Sequence, residues 1–116
     1  MNAEVKKKWV DALRSGKYRQ GRMRLRVVDP NGDKFCCLGV RCDMVDPSGW
    51  RDEPKEDFVD GEATLIRFHG MEMAAPSRSL IAKIGGLTRD WLVYASKNDI
   101  EDKTFEEIAD FVEANE

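Results

Sequence analysis

The chain has 116 residues, of which 41% are hydrophobic and 35% are charged, and its formal net charge is −3. This length and composition indicate one globular domain, residues 1–116, with a single modest core, and they exclude a disordered chain. No apolar run approaches the roughly 20 residues that span a bilayer, and the basic N-terminus lacks the apolar stretch of a signal peptide, so we expect no membrane segment.

The first elements along the chain are a helix and a strand. Residues 3–15 place Val5, Trp9 and Leu13 on one helical face, and Gly16 stands where a C-terminal cap belongs. The next apolar residues alternate with the period of a strand, which predicts one buried face and one face lined by arginines. The buried positions are Met23, Leu25 and Val27, and the arginines are Arg22, Arg24 and Arg26.

A tight turn should complete a β-hairpin over residues 22–36. Proline and an Asn-Gly pair within residues 29–33 are typical of such a turn, because they supply a fixed dihedral angle and a positive φ. Residues 37–45 match helical spacing about as well as a strand. We favour a helix packed beneath the hairpin, although Gly39 weakens a helix by roughly 1 kcal/mol relative to alanine.

The middle of the chain predicts a polar loop and one further strand. The loop covers residues 49–61 and contains Trp50, and the strand covers residues 62–69. The succession of helix, hairpin, helix, strand and helices is neither a βαβ alternation nor an all-strand pattern. It predicts an α+β fold in which a small antiparallel sheet, made by the hairpin and this strand, packs against the N- and C-terminal helices.

The last third of the chain predicts helices. A short helical segment over 79–84 precedes a helix that begins at a Thr88 cap and runs through Trp91. The final helix has the clearest signature, because Thr104 and Glu107 form the sequence pattern of a capping box. Its apolar stripe consists of Phe105, Ile108, Ala109 and Val112.

The three cysteines, Cys36, Cys37 and Cys42, lie within nine residues of the chain. With His69 they offer four soft metal ligands, but adjacent cysteines rarely project towards one metal ion. A cysteine that acts as a catalytic nucleophile would need His69 as its general base, since the chain has one histidine. We therefore interpret the cysteines as buried core positions and expect no metal, no cofactor and no catalytic residue. An odd number of cysteines, two of them adjacent, also favours a reducing, cytoplasmic compartment.

Charge is distributed very unevenly along the chain, and this points to a binding surface. Residues 1–28 carry a net charge of +7 and the remainder carries −10. A basic segment of this kind binds anions or an acidic partner, or packs against the acidic part of its own chain. The candidate ligand- or partner-binding residues combine cations with aromatic rings, and they are Trp9, Lys17, Tyr18, Arg19, Arg22, Arg24 and Arg26.

Three separated motifs resemble a family of small uncharacterised proteins of tailed phages and prophages. They are residues 8–21, residues 35–43 (FCCLGVRCD) and a C-terminal segment with Asn98-Asp99 and the helix sequence TFEEIADFVE. The resemblance implies an origin and not a reaction. Arg41 stands where this family would have an apolar residue, so we expect its side chain to face solvent or a ligand.

These observations favour a non-catalytic binder over an enzyme. A small phage-type accessory protein of this kind would counter or reprogram a host system in the host cytosol, by blocking a host protein or by sequestering a nucleotide-type signal. The alternative is a nucleic-acid-binding regulator, although an acidic chain with a pI of about 5.3 disfavours it. A small enzyme is a third possibility. The sequence leaves a homo-oligomer open, since Trp50 in a polar loop could mark a contact between two copies.

Overall fold

The computed structural model describes residues 2–54, 64–68, 86–87 and 90–116. These residues form four α-helices, namely α1 (Ala3–Arg14), α2 (Cys37–Val45), α3 (Trp91–Asp99) and α4 (Phe105–Asn115). They also form five short strands in two sheets. The α+β fold class is confirmed, with the N- and C-terminal helices packed against each other. None of the helices in the described ranges has the length and apolar character needed to cross a bilayer.

Each of the two terminal helices begins directly after a polar N-cap residue. The Asn2 side chain accepts hydrogen bonds from the backbone N–H groups of Glu4 and Val5, at 2.8 and 3.3 Å, and so starts α1. Thr104 and Glu107 form the predicted capping box at the start of α4. The apolar faces of both helices are buried, and their buried residues are Trp9, Val10, Leu13, Phe105, Ile108, Ala109 and Val112.

A three-stranded sheet forms from the residues between α1 and α2. Its strands are β1 (Arg19–Gln20), β2 (Arg26–Val27) and β3 (Lys34–Phe35), arranged in the order β1-β3-β2. The predicted hairpin is present as the antiparallel pair β2–β3. The sheet is mixed and not purely antiparallel, because β1 runs parallel to β3 along its other edge.

The predicted alternation over residues 22–28 is correct only in part. Leu25 is fully buried, but Met23 is 56% exposed and has a φ of +70°, so it does not share the buried face. The strand is confined to Arg26–Val27 because the preceding residues turn towards the end of α3, where the Met23 backbone N–H donates to Asp99 at 2.9 Å.

A second sheet replaces part of the predicted polar loop. Strand β4 (Trp50–Pro54) pairs antiparallel with β5 (Thr64–Phe68), with Trp50 opposite Phe68. The strand predicted at 62–69 is therefore present in its described part, but its partner is β4 and not the hairpin. The charged sequence of β4 does not predict a strand, because this strand forms through its pairing with β5.

Several predictions fall on parts of the chain outside the described residues. They concern the loop over 55–61, His69 and the helix over 79–84. Helix α3 begins at Trp91, and its N-cap is Asp90, whose side chain accepts from the Leu92 N–H at 2.9 Å. The expected Thr88 cap is corrected accordingly, since an aspartate directly before the first turn is a strong N-cap.

Helix α2 is confirmed over 37–45, and its glycine has a packing role. A Cβ atom at Gly39 would lie 1.7 Å from the carbonyl oxygen of Leu25. Residue 39 must therefore be glycine because the backbone of residue 25 crosses the helix at this point. The close approach buries Leu25 against α2 and holds the hairpin on the core.

Candidate functional site

The three cysteines occupy the core, as predicted. Cys36, Cys37 and Cys42 are at most 1% exposed. Desolvation by burial raises the pKa of all three thiols, and that of Cys36 reaches about 12. At neutral pH the thiols are therefore protonated and poor nucleophiles. In the described part of the chain, no three His, Cys, Asp or Glu side chains are grouped so that they could hold a metal ion.

Trp9 belongs to the same core. Its side chain is fully buried, and its indole Nε1–H donates to the Cys37 carbonyl at 3.0 Å. The ring of Tyr94 packs edge-on against it, with 5.2 Å between the ring centroids. Trp9 has no exposed area, so the surface formed by the other candidate residues does not include it.

Arg41 is also buried, which corrects the expectation that it faces solvent or a ligand. Its guanidinium lies 4.8 Å from the centroid of the Trp9 ring and donates a hydrogen bond to the Gly86 carbonyl. Desolvation lowers the pKa of Arg41 to about 10, and the nearby Glu116 carboxylate opposes this shift. The cation is therefore retained at neutral pH inside the core, where the ring, the carbonyl and the carboxylate stabilise it.

The remaining candidate residues lie on residues 17–26, which we call the arginine arm. Its first half is fixed to the β2–β3 turn by Arg19. The guanidinium of Arg19 donates to the Asp29 carboxylate at 3.1 Å and to the Gly32 carbonyl at 2.8 Å. Hydrogen bonding from the Asn31 N–H and then from Arg19 lowers the pKa of Asp29, so this carboxylate stays ionised.

Arg22 fixes the middle of the arginine arm to the C-terminal end of α3. It donates to the Asn98 carbonyl and to the Asp102 carboxylate. A cation at this position satisfies a helix-terminal carbonyl and interacts favourably with the negative end of the helix dipole. Arg22 therefore acts as a cap for α3, even though its side chain is still 45% exposed.

Asn98 is the buried residue at the centre of this junction, a role that the sequence patterns did not predict. Its amide oxygen accepts from Gln20 at 3.0 Å and from the Cys37 N–H at 3.2 Å. Its amide nitrogen donates to the Gly21 carbonyl and to Asp99, both at 2.8 Å. All four hydrogen-bonding positions of the amide are thus filled. The sequence feature that could have indicated this role is the Asn98-Asp99 pair, which belongs to the C-terminal motif.

Arg26 lies at the other end of the arginine arm, within an aromatic cluster. Its guanidinium pairs with Asp33 at 2.8 Å and lies 5.1 and 5.3 Å from the ring centroids of Phe35 and Trp50. Trp50 itself donates its Nε1–H to Asp43 at 2.9 Å. Trp50 is therefore half-buried by contacts within its own chain, which gives it a structural role independent of any subunit contact.

Tyr18 completes this cluster. Its hydroxyl donates to Asp43 at 2.7 Å, and its ring packs edge-on against Phe35. Desolvation, and then the Asp43 carboxylate, raises the pKa of Tyr18, so the hydroxyl remains a donor over the whole physiological range. Tyr18 thereby ties the start of the arginine arm to α2.

The structure does not place the arginines on one common face. Arg22 reaches α3, whereas Arg19 and Arg26 bind carboxylates of the hairpin. Arg24 is half-buried, and the Lys17 side chain is exposed. The candidate site is therefore a rigid, mixed-charge surface and not an open row of cations.

No curated protein and no solved structure matches this chain significantly. A family model described as a domain of unknown function (DUF8296) matches residues 1–116. The chain therefore belongs to this family.

Proposed function

We propose that this protein is a non-catalytic binder, a small phage-type accessory protein that blocks a host protein, with the arginine arm as part of its contact surface. The observation that carries the proposal is the attachment of this arm at three separate points. Arg19 holds it to the turn, Arg22 holds it to α3, and Tyr18 holds it to α2. An exposed segment fixed in this way loses little conformational entropy when it binds a partner.

The pairing of the arginines favours a protein partner over a nucleotide-type signal. Arg19, Arg22 and Arg26 already donate to aspartates of the same chain. A phosphate group would have to displace these carboxylates, because it competes for the same guanidinium donors. A protein partner can bind the mixed-charge surface without breaking the pairs, since polar rims of protein interfaces are complementary in both signs.

Lys17 provides a direct way to test the contact surface. It is exposed, and within the described residues it forms no ion pair, so its replacement leaves the pairs of the arginine arm intact. Lys8 serves as the control, because it is an exposed lysine on α1 and its ion pair with Glu4, at 3.2 Å, is solvent-exposed and contributes little to stability. Both substitutions, Lys17→Glu and Lys8→Glu, change the net charge equally.

The experiment captures partners from host extract with the tagged protein and determines their masses by native mass spectrometry. We expect a stoichiometric complex with a host protein, with an affinity that Lys17→Glu lowers by about tenfold, or about 1.4 kcal/mol. Lys8→Glu should leave the affinity within about twofold of wild type, because exposed charges away from an interface contribute little. A retained nucleotide would indicate a sequestering function, and an affinity that falls steeply with salt for any DNA would indicate the nucleic-acid regulator. Turnover by catalytic amounts of protein, or no partner at all, would contradict the proposal.

A further inference from the structure

The turn between β2 and β3 contains an Asn-Gly pair, Asn31 and Gly32, and both residues are exposed. Gly32 has a φ of +117°, and its N–H donates to the Asp29 carbonyl at 3.0 Å to close the turn. Because glycine has no side chain beside its backbone nitrogen, this nitrogen is sterically accessible to the side chain of the residue before it. The pair therefore has a chemical reactivity that is separate from its role in the turn.

Asn31 differs from the other asparagines of the chain, because its side-chain amide is unbound. Asn2 caps α1, and all hydrogen-bonding positions of the buried Asn98 amide are filled. The side-chain nitrogen of Asn115 donates to the Phe111 carbonyl at 2.9 Å. Among the described residues, Asn31 forms a hydrogen bond through its backbone N–H alone. Its side-chain amide is therefore free to rotate towards the next backbone nitrogen.

We propose that Asn31 is a site of spontaneous deamidation through attack by the Gly32 backbone nitrogen. Hydroxide first removes the proton of the Gly32 N–H. The nitrogen then forms a bond to Cγ of Asn31, the Cγ–Nδ2 bond breaks, and the amide group leaves as ammonia with one proton from water. The product is a cyclic imide. The only co-reactants are water and hydroxide, and the proposal is independent of the proposed function.

Water opens the imide in two ways. Cleavage of the new bond between the Gly32 nitrogen and Cγ gives aspartate, with the main chain unchanged. Cleavage of the original peptide bond between the Asn31 carbonyl carbon and the Gly32 nitrogen gives isoaspartate, in which the main chain runs through the side-chain carbonyl. Each route consumes one water molecule and leaves one new carboxylate.

The fold slows this reaction and also makes it selective. The Gly32 N–H is held by the Asp29 carbonyl, so the turn must open before the proton is lost. An exposed turn opens at a much lower free energy than a buried helix end, which favours Asn31 over Asn98. The charged side chains around the turn are already paired with each other, and they are Asp29 with Arg19 and Lys34, and Asp33 with Arg26.

The isoaspartate product should weaken the first attachment of the arginine arm. The Arg19 guanidinium donates to the Gly32 carbonyl at 2.8 Å and to Asp29 at 3.1 Å. Isoaspartate adds one carbon atom to the main chain before Gly32, so it displaces this carbonyl from Arg19. The aspartate product keeps the backbone and therefore the contact. The attachment of the arm should thus change with the age of the protein molecule.

The test incubates the wild-type chain in mildly alkaline buffer and maps its peptides by mass spectrometry. An isoaspartyl methyltransferase with a labelled methyl donor identifies the isoaspartate. We expect Asn31 to convert at least about tenfold faster than the other asparagines. The control is Asn31→Gln, which keeps an exposed amide but needs a larger ring, and it should remain unlabelled. An intact Asn31, or conversion of Asn2 or Asn115 at the same rate, would overturn the proposal.

Hydrogen exchange of the backbone amides in residues 17–21 measures the consequence for the arginine arm. Aged protein enriched in isoaspartate should exchange faster there than fresh protein. Asn31→Asp is the matched control, because it adds the same charge without lengthening the main chain, and it should exchange like fresh protein. Equal exchange in the aged and fresh samples would show that the attachment does not depend on this site. Fast exchange in Asn31→Asp would attribute the effect to charge and contradict the role given to chain lengthening.

Discussion

The side chains of Gln20 and Asn98 are joined by a hydrogen bond of 3.0 Å that links the arginine arm to the C-terminal end of α3. Gln20 also donates to the Lys103 carbonyl at 2.7 Å. The amide of Asn98 is fully buried and has no alternative partner in solvent. This junction holds the arginine arm in one position. Breaking its hydrogen bonds should therefore lower the stability of the whole fold.

Replacement of Asn98 by alanine is expected to be strongly destabilising. Asn98→Ala leaves the Cys37 N–H and the Gly21 carbonyl without their partner, and each buried polar group left unsatisfied costs about 1–3 kcal/mol. We expect the free energy of unfolding to fall by about 3 kcal/mol in urea titrations. The control, Ser96→Ala on the same helix, removes one long hydrogen bond of 3.4 Å and should cost less than about 0.5 kcal/mol. Equal stability of the two variants would contradict the role given to Asn98.

Alanine at Gly39 should also destabilise the fold, although alanine is the better helix former. The new Cβ atom would lie 1.7 Å from the Leu25 carbonyl oxygen, so α2 and the hairpin must separate. We expect Gly39→Ala to cost about 3 kcal/mol in urea unfolding, against the gain of about 1 kcal/mol in helix propensity. Gly16→Ala is the control, since nothing lies within 4 Å of its Cβ position. It should cost about 1 kcal/mol for its positive φ alone.

Arg41 should tolerate an apolar residue of similar size. In Arg41→Met the contacts with the Gly86 carbonyl and with Glu116 are lost, but the chain no longer has to desolvate a cation, and the methionine can pack against Trp9, so the two effects should largely offset each other. We expect the free energy of unfolding to change by less than about 1 kcal/mol. Arg41→Ala leaves a cavity in the same place and should cost about 2–5 kcal/mol. A large loss in the methionine variant, measured in the same urea titration, would show that the charge itself is required.

The thiols should make the protein less stable at high pH. Burial raises the pKa of Cys36 from 9.0 to about 12, so the folded chain binds more protons than the unfolded chain above pH 9.0. The corresponding stability is complete below pH 9.0 and is lost as the pH rises towards the raised value. Tyr18 and Tyr94 shift in the same direction. The measurement is the urea midpoint between pH 8 and pH 11.

Two further measurements separate the thiols from the tyrosines. The Cys42→Ala variant should lose part of the pH dependence, because one raised thiol is removed. The native protein should also resist a thiol-specific reagent at pH 8 and react only after denaturation, since all its cysteines are buried. Rapid reaction of the native protein would contradict the assignment of these residues to the core.

Local signals in the sequence were sufficient where a structure is stabilised by neighbouring residues. The N-terminal helix, the turn over 29–33 and the capping box of Thr104 and Glu107 were predicted correctly, because their hydrogen bonds join residues at most four positions apart. The burial of Cys36, Cys37 and Cys42 was inferred correctly from the poor fit of adjacent cysteines and one histidine to a metal or catalytic site. The charge asymmetry left two interpretations open, an external partner or packing of the basic segment against the acidic part of the chain, and Arg14 on α1 does bind Asp110 and Glu113 on α4.

Tertiary structure alone decided how the site is assembled. The parallel pairing of β1, the strand at Trp50–Pro54 and the burial of Arg41 each depend on a partner that no local pattern reveals. The arginines could be recognised from the sequence as a group. The sequence did not show that they bind different parts of the fold. Arg22 binds the end of a helix that lies 76 residues further along the chain, and the position of that helix follows from the packing of the whole core. Local patterns therefore determined the helices and the buried thiols, and long-range packing determined which charges became structural and which surface remained exposed.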